Sequence, residues 1–174
     1  MSNDELAQLR RDIQILKDIE EIQRMKHGYF RCVDTGNIAE IAPMLHDDVD
    51  VHFIGGTYEW NLKGKQAYLD AMTQSFNPQV VAQHNGHSPE IHILSETEAT
   101  GFWYLYDNFW NLAEGRYTYG TALYKDRYVR ERGRWLIRRT VYRRIYEVVE
   151  PMPRDKVPNF TYRWLADPNA RIPD

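Results

Sequence analysis

The sequence predicts an α+β fold: a cone-shaped, strongly curved sheet, mixed or antiparallel, closed on one side by N-terminal helices. Three observations predict it. Helical periodicity dominates up to residue 76, whereas residues 80–94, 97–111, 117–130 and 134–147 are long, aromatic-rich, β-prone stretches. The connections between those stretches are short: Ser95-Glu96, Ala113-Glu114-Gly115-Arg116 and Glu131-Arg132-Gly133. Their length exceeds the usual ~5–6 residues of a strand, so the sheet curls and leaves an interior that can serve as a pocket.

The elements follow in order. Ser2-x-x-Glu5 reads as a capping box, and Leu6, Leu9, Ile13, Leu16, Ile19, Ile22, Met25 and Tyr29 repeat at helical spacing. This long amphipathic helix ends near Asp34-Thr35-Gly36, where glycine can take a positive φ. Its first two turns read as an extension that packs on something else. A short second helix follows, with Ile38, Ile41 and Leu45 facing inward. Asp50–Ile54 is then a strand and Gly55-Gly56 a hairpin turn. Residues 64–76 form a third helix with Ala67, Tyr68, Ala71 and Met72 on its buried stripe.

The domain spans residues 1–148, and 149–174 is an irregular tail holding Pro151, Pro153, Pro158, Pro168 and Pro173 among Phe160, Tyr162 and Trp164. Large aromatics on a terminal tail need somewhere to bury. The tail therefore reads as a segment wrapped on the surface or a neighbouring subunit, or as a lid over the cone.

Composition narrows the function. A formal net charge of -3 gives no basic face for nucleic acid. Arg138, Arg139, Arg143 and Arg144 cluster, but in an alternating segment beside carboxylates, so they read as sheet-edge and pocket charges. The single cysteine, Cys32, excludes an internal disulfide and a thiolate metal site, and its place on the apolar register makes it a small buried hydrophobe. No signal peptide or membrane-length apolar run is visible, so a cytoplasmic protein without a membrane association is expected.

No phosphate-binding glycine loop, dinucleotide fingerprint, Gly-x-Ser-x-Gly or His-Glu-x-x-His occurs. His84 and His87 are three apart on a strand and point to opposite faces unless a bulge intervenes, which argues against a metal site. Asp107 lies on an apolar strand, sharing a face with Gly101, Trp103, Leu105 and Phe109. A carboxylate there must be paired or solvated. His84 on a neighbouring strand would satisfy it, either as a catalytic His–Asp pair or as a structural hydrogen bond. Tyr29 and Asp34 lie near the end of the long helix, at the mouth of the pocket. The tyrosine can donate to an oxyanion. The carboxylate can move a proton, and its spacing alone favours a solvated helix end.

Four segments carry a resemblance: Tyr29-Phe30-Arg31-Cys32-Val33-Asp34; Gln83-His84-Asn85-Gly86-His87-Ser88-Pro89-Glu90-Ile91; Ala99-Thr100-Gly101-x-Trp103-Tyr104-Leu105-x-Asp107; and Arg144-Ile145-Tyr146-Glu147. Together they resemble the SnoaL-like branch of the NTF2-like superfamily over residues 9–147. Within it the likeness is strongest to the bile-acid 7α-dehydratases of gut bacteria, and weaker to scytalone dehydratase and hexachlorocyclohexane dehydrochlorinase. The resemblance implies a trimeric curved-sheet cone and a site of His84, Asp107, Tyr29, Asp34 and Arg144. It departs in two places. Scytalone dehydratase has a second active-site histidine on a later strand, and no histidine follows His92 here, which disfavours scytalone as substrate. Relatives often carry a tyrosine on the first strand, where this chain has Val51-His52-Phe53, so Tyr58 or Tyr124 would supply that hydroxyl.

The resemblance thus implies a cofactor-free lyase that removes water from a hydroxylated polycyclic ketone of the steroid, bile-acid or polyketide kind. His84, oriented by Asp107, would be the base, Tyr29 would bind the enolate oxygen, and Asp34 with Arg144 would assist the leaving hydroxide. Phe53, Trp103, Leu105, Phe109 and Tyr124 would wall the hydrophobic substrate. A ketosteroid-isomerase-like isomerase and a non-catalytic ligand-binding or assembly module are the alternatives. Phe102, Tyr104, Tyr106 and Trp110 form an apolar outer face that a homotrimer would cover, together with Tyr119.

Overall fold

A computed structural model describes residues 2–173. Helix α1 spans Asn3–Thr35, α2 Ile38–Ile41 and α3 Lys65–Ser75; strands β1 to β6 span Leu45–Ile54, Glu59–Lys63, Val80–Ile93, Glu98–Asn111, Arg116–Glu131 and Arg134–Pro151. The chain order is the one the sequence predicts, with β1 longer than expected and β6 running past residue 148.

The capping box is present: the Ser2 hydroxyl accepts from the Glu5 N–H at 3.2 Å, and Glu5 Oε2 accepts from the Ser2 N–H at 2.7 Å. Gly36, at φ 64°, closes the other end of α1 in the left-handed conformation. Between them the helix is ~50 Å long at 1.5 Å per residue. Leu9, Ile13 and Leu16 remain exposed, so this first part of α1 overhangs the body, while Ile22, Tyr29, Phe30, Cys32 and Val33 are buried. The third helix buries Tyr68 and Met72, whereas Ala67 is exposed.

The six strands form one mixed sheet in the order β2-β1-β6-β5-β4-β3. All pairings are antiparallel except β1 with β6, which is parallel. Alternation sends Ala99, Gly101, Trp103, Leu105 and Asp107 of β4 inward and Phe102, Tyr104 and Tyr106 outward. Helix α1 lies across β3, close enough that a Cβ on Gly86 would stand 1.8 Å from Phe30 Cε2. Only glycine permits that approach.

Two of the sheet's β-bulges reset the alternation near the cavity. One, between His87 and Glu90, carries Ser88 at φ 49°. The other inserts Ile145 between Arg144, which pairs with Ala122, and Tyr146, which pairs with Thr121. It leaves both Ile145 and Tyr146 exposed.

The tail folds back along the body. Phe160 packs edge-on to Trp110, Arg163 donates to the Pro78 carbonyl at 2.9 Å, and Leu165 covers Gly36. Among the described residues no helix is long and apolar enough to cross a membrane.

Candidate functional site

Helix α1 delivers Asp34 on its last turn to the start of β3. There Asp34 Oδ2 accepts from the backbone N–H of His84 at 2.9 Å, and Oδ1 lies 2.6 Å from His84 Nδ1. A carboxylate only accepts, so Nδ1 carries a proton, and in the neutral imidazole the lone pair is on Nε2. This corrects the expected pairing of His84 with Asp107, and the expectation of a solvated Asp34. His84 and Asp107 do stand opposite each other in the β3–β4 register. Asp107, however, is bound through both oxygens by Arg144 from β6, with Nη2–Oδ2 at 2.8 Å. Gly120 of the intervening β5 pairs with Asp107 on one side and Glu147 on the other, and a Cβ there would stand 2.3 Å from the Tyr146 carbonyl oxygen, so glycine lets the β6 backbone come close at this point. A bidentate guanidinium is also the stronger partner for a carboxylate.

His84, Asp107 and Arg144 face a cavity of about 630 Å³, within the usual ~300–1,000 Å³ of a ligand pocket. Its walls include Tyr58, Trp60, Phe76, Val80, Phe109 and Arg144, with Gln74, Asn77, Asn111 and the Arg116–Glu114 ion pair toward solvent. A second space of about 60 Å³ lies further in, among Tyr29, Phe53, Leu105, Tyr124 and Tyr142. It is far below the ~150 Å³ that admits a benzene ring. His84 and Asp107 line both spaces and so mark their junction. No described tail residue lines either one.

The inner space is ringed by phenols. Tyr29 is hydrogen-bonded to Tyr68, and Tyr58 to Tyr142. Burial pushes the hydroxyls of Tyr29, Tyr58, Tyr124 and Tyr142 up, so all remain neutral donors at physiological pH. Tyr29 is thus not at the mouth, where the sequence placed it; the inward-facing stripe of α1 carries it to the inner end. Burial opposes the charge on Arg144, and Asp107 together with Tyr142 and Tyr58 more than offsets that, so its affinity for the proton rises.

Of the expected walls, Phe53, Leu105 and Tyr124 line the inner space and Phe109 the outer one. Trp103 does not. It is fully buried, donates its indole N–H to Tyr128 Oη at 2.9 Å and meets His27 edge-on, so it belongs to the core. His87 is exposed and stacks on Tyr104, as simple alternation requires, because the bulge comes after it. Cys32 is buried and burial pushes its thiol up to about 11, against the pull of Arg31; it is no thiolate nucleophile. Among the described residues no cluster of His, Cys, Asp and Glu suits a metal ion.

The sequence reasoning missed three groups. Tyr142 completes the phenol ring. Glu147 sits behind Arg144, its Oε1 3.3 Å from Nε. Lys26 and Asp126 form a fully buried ion pair at 2.7 Å, with the ammonium 4.2 Å from the Tyr124 ring and 4.7 Å from that of Tyr29. Lys26 falls on the Ile22–Tyr29–Val33 stripe and Asp126 on the inward face of β5. Both positions were readable as buried charges that need each other.

Residues 14–141 match the family model of the SnoaL-like domain. Three solved structures share the fold. A scytalone dehydratase-like protein of Novosphingobium aromaticivorans is 21% identical, with a TM-score of 0.68 over 79% of this chain and 90% of its own. A hexachlorocyclohexane dehydrochlorinase of Novosphingobium barchaimii is 22% identical, with a TM-score of 0.69 over 80% and 94%. An NTF2-like protein with a cystatin-like fold, also from Novosphingobium aromaticivorans, is 15% identical, with a TM-score of 0.67 over 83% and 92%. The chain belongs to the SnoaL-like family.

Proposed function

We propose that the protein is a cofactor-independent lyase that eliminates water from a hydroxylated polycyclic ketone of the steroid, bile-acid or aromatic polyketide kind. One observation carries the reading: a histidine oriented by a carboxylate stands where a ring-sized cavity meets a small phenol-lined recess.

The ring system fills the outer cavity against Trp60, Phe76 and Phe109, and its ketone oxygen enters the recess. His84 Nε2 removes the proton from the carbon acidified by that ketone. The electron pair moves toward the carbonyl, and the developing oxyanion takes hydrogen bonds from the phenols, Tyr29 among them. The carbon–oxygen bond to the hydroxyl then breaks. The imidazolium returns its proton to the departing hydroxide, so water leaves and the base is restored. Asp34 fixes the tautomer and stabilises the imidazolium. Asp107, held by Arg144, accepts from the leaving hydroxyl and orients it. The ketone serves as electron sink, and the chemistry calls for no cofactor.

Two further features belong to this reading. The exposed outer face of Phe102, Tyr104, Tyr106 and Leu123 suits burial in a homotrimer. The lone, buried thiol suits a reducing cytoplasm.

Incubation with a panel of hydroxylated steroid and polyketide ketones, followed by mass spectrometry, tests the proposal. Loss of 18 daltons (about one water) from a panel member is the expected result. An unchanged mass with a shifted ultraviolet spectrum would assign an isomerase instead, and binding without any conversion a carrier.

A further inference from the structure

We infer that Glu147 is a specificity-determining residue: by neutralising Arg144 from behind, it makes the cavity select uncharged substrates and reject carboxylates, so that of the proposed classes it admits neutral steroid and polyketide ketones, and a bile acid only with its carboxyl esterified. The inference rests on the same cavity binding an apolar ring, but not on any turnover there.

A cavity with a buried arginine in its wall looks like a receptor for an anion. The surroundings of Arg144 say otherwise. Its side chain is 7% exposed and lies between two carboxylates, Asp107 and Glu147, each 5% exposed at the side chain. Asp107 takes the fork of the guanidinium, while Glu147 stands at Nε. The Nε–Oε1 contact of 3.3 Å lacks hydrogen-bond geometry, and both atoms are without a hydrogen-bond partner. Glu147 is therefore held there by charge and by the space the fold leaves for it. That space is specific. Alternation alone would turn Glu147 to the opposite face from Arg144, and the Ile145 bulge brings it back to the same side. The β1–β2 turn then makes room, since a Cβ on Gly56 would stand 2.6 Å from Glu147 Oε2.

Two carboxylates around one guanidinium leave an excess negative charge behind the wall, and Asp34 behind His84 adds another. At the rim Arg116 is already paired with Glu114. An entering carboxylate would meet no free cation and would lose its hydration in a partly enclosed site. A neutral ketone or alcohol loses little and keeps the acceptors of Asp107 for its hydroxyl.

The test uses two flat probes of matched size, 2-acetonaphthone and 2-naphthoate, titrated into the full chain with calorimetric detection. The wild-type protein is expected to bind the ketone at least about tenfold more tightly than the carboxylate. Glu147→Gln keeps the shape and removes the charge; it is expected to strengthen naphthoate binding about tenfold and to leave the ketone within about twofold. Glu98→Gln, at the far end of β4 from Asp107, is expected to leave both affinities unchanged. Equal affinity of the two probes for the wild type would overturn the inference, and needs no variant. So would an unchanged ratio in Glu147→Gln, an equal effect of Glu98→Gln, or no binding of either probe. Preserved selectivity in a protein that converts no hydroxyketone would sink the dehydratase reading and leave this one standing.

Discussion

Asp34 and His84 are joined twice, once through the backbone N–H of His84 at 2.9 Å and once through its ring nitrogen at 2.6 Å. The first bond ties the end of α1 to β3 and the second sets the direction of the imidazole. Helix packing and imidazole orientation are therefore one and the same contact. His84→Ala is expected to lower kcat by ~10²–10⁴-fold with substrate affinity nearly intact, because a base acts in the transition state. Asp34→Asn is expected to fall in the same range, since it removes the charge facing the imidazolium. His87→Ala should retain nearly full turnover. Steady-state kinetics of the three variants check this; a His87→Ala loss equal to that of His84→Ala would refute the assignment.

Asp107→Asn separates the two carboxylates of the site. It leaves Arg144 with one charged partner and spares the imidazole, so the expected effect is a raised KM with a smaller loss of kcat than Asp34→Asn. A larger kcat loss for Asp107→Asn than for Asp34→Asn would place Asp107, not Asp34, behind the base.

Burial raises the hydroxyls of Tyr29, Tyr58, Tyr68, Tyr124, Tyr128 and Tyr142 above the ordinary ~10 of an unfolded chain. Above pH ~10 the unfolded state then loses protons that the folded state keeps, so stability is full below that pH and falls as pH rises beyond it. Tyrosinate absorbance at these positions is expected to appear together with the loss of near-ultraviolet circular dichroism. Ionisation of all the tyrosines in a still-folded protein would contradict the burial.

Gly86→Ala would drive a methyl into the Phe30 ring. We expect a destabilisation of ~1–3 kcal/mol, the usual range for overpacking. Urea unfolding measures it, and an unchanged midpoint would mean that α1 shifts freely on β3.

Light scattering is expected to give three times the chain mass, and Tyr104→Arg, which places a charge on the outer face, to lower it. A wild-type monomer would show that Phe102, Tyr104 and Tyr106 remain in water.

The elements were legible because their periods are local properties: the Ser2–Glu5 box, the α1 stripe and the strand alternation each follow from a few neighbouring residues. His84 and Asp107 were legible as inward-facing groups for the same reason. Their partners were not. Alternation fixes a side chain's face, but the choice between Asp107 and Asp34 depends on where α1 crosses β3. The reach of Arg144 to Asp107 crosses β5, a strand that belongs to neither residue's own segment. Glu147 was hidden by the Ile145 bulge, which no composition signal marks. Trp103 was misplaced because an inward face contains both core and cavity, and alternation does not divide them.

The parallel pairing of β1 with β6 has a consequence for the order in which the molecule comes into being. The register sets Phe53 beside Tyr142, about 90 residues further along the chain. Such distant contacts form late, after the loop between them has been closed. A chain emerging from the ribosome can wind α1 and pair β3 with β4 and β5 while β1 and β2 still have no sheet to join. Tyr58, Tyr142, Arg144 and Glu147 meet only when the final strand arrives. The half of the cavity that reads the substrate is thus the last part to be born, and a prematurely ended chain presents an unfinished sheet edge to quality control.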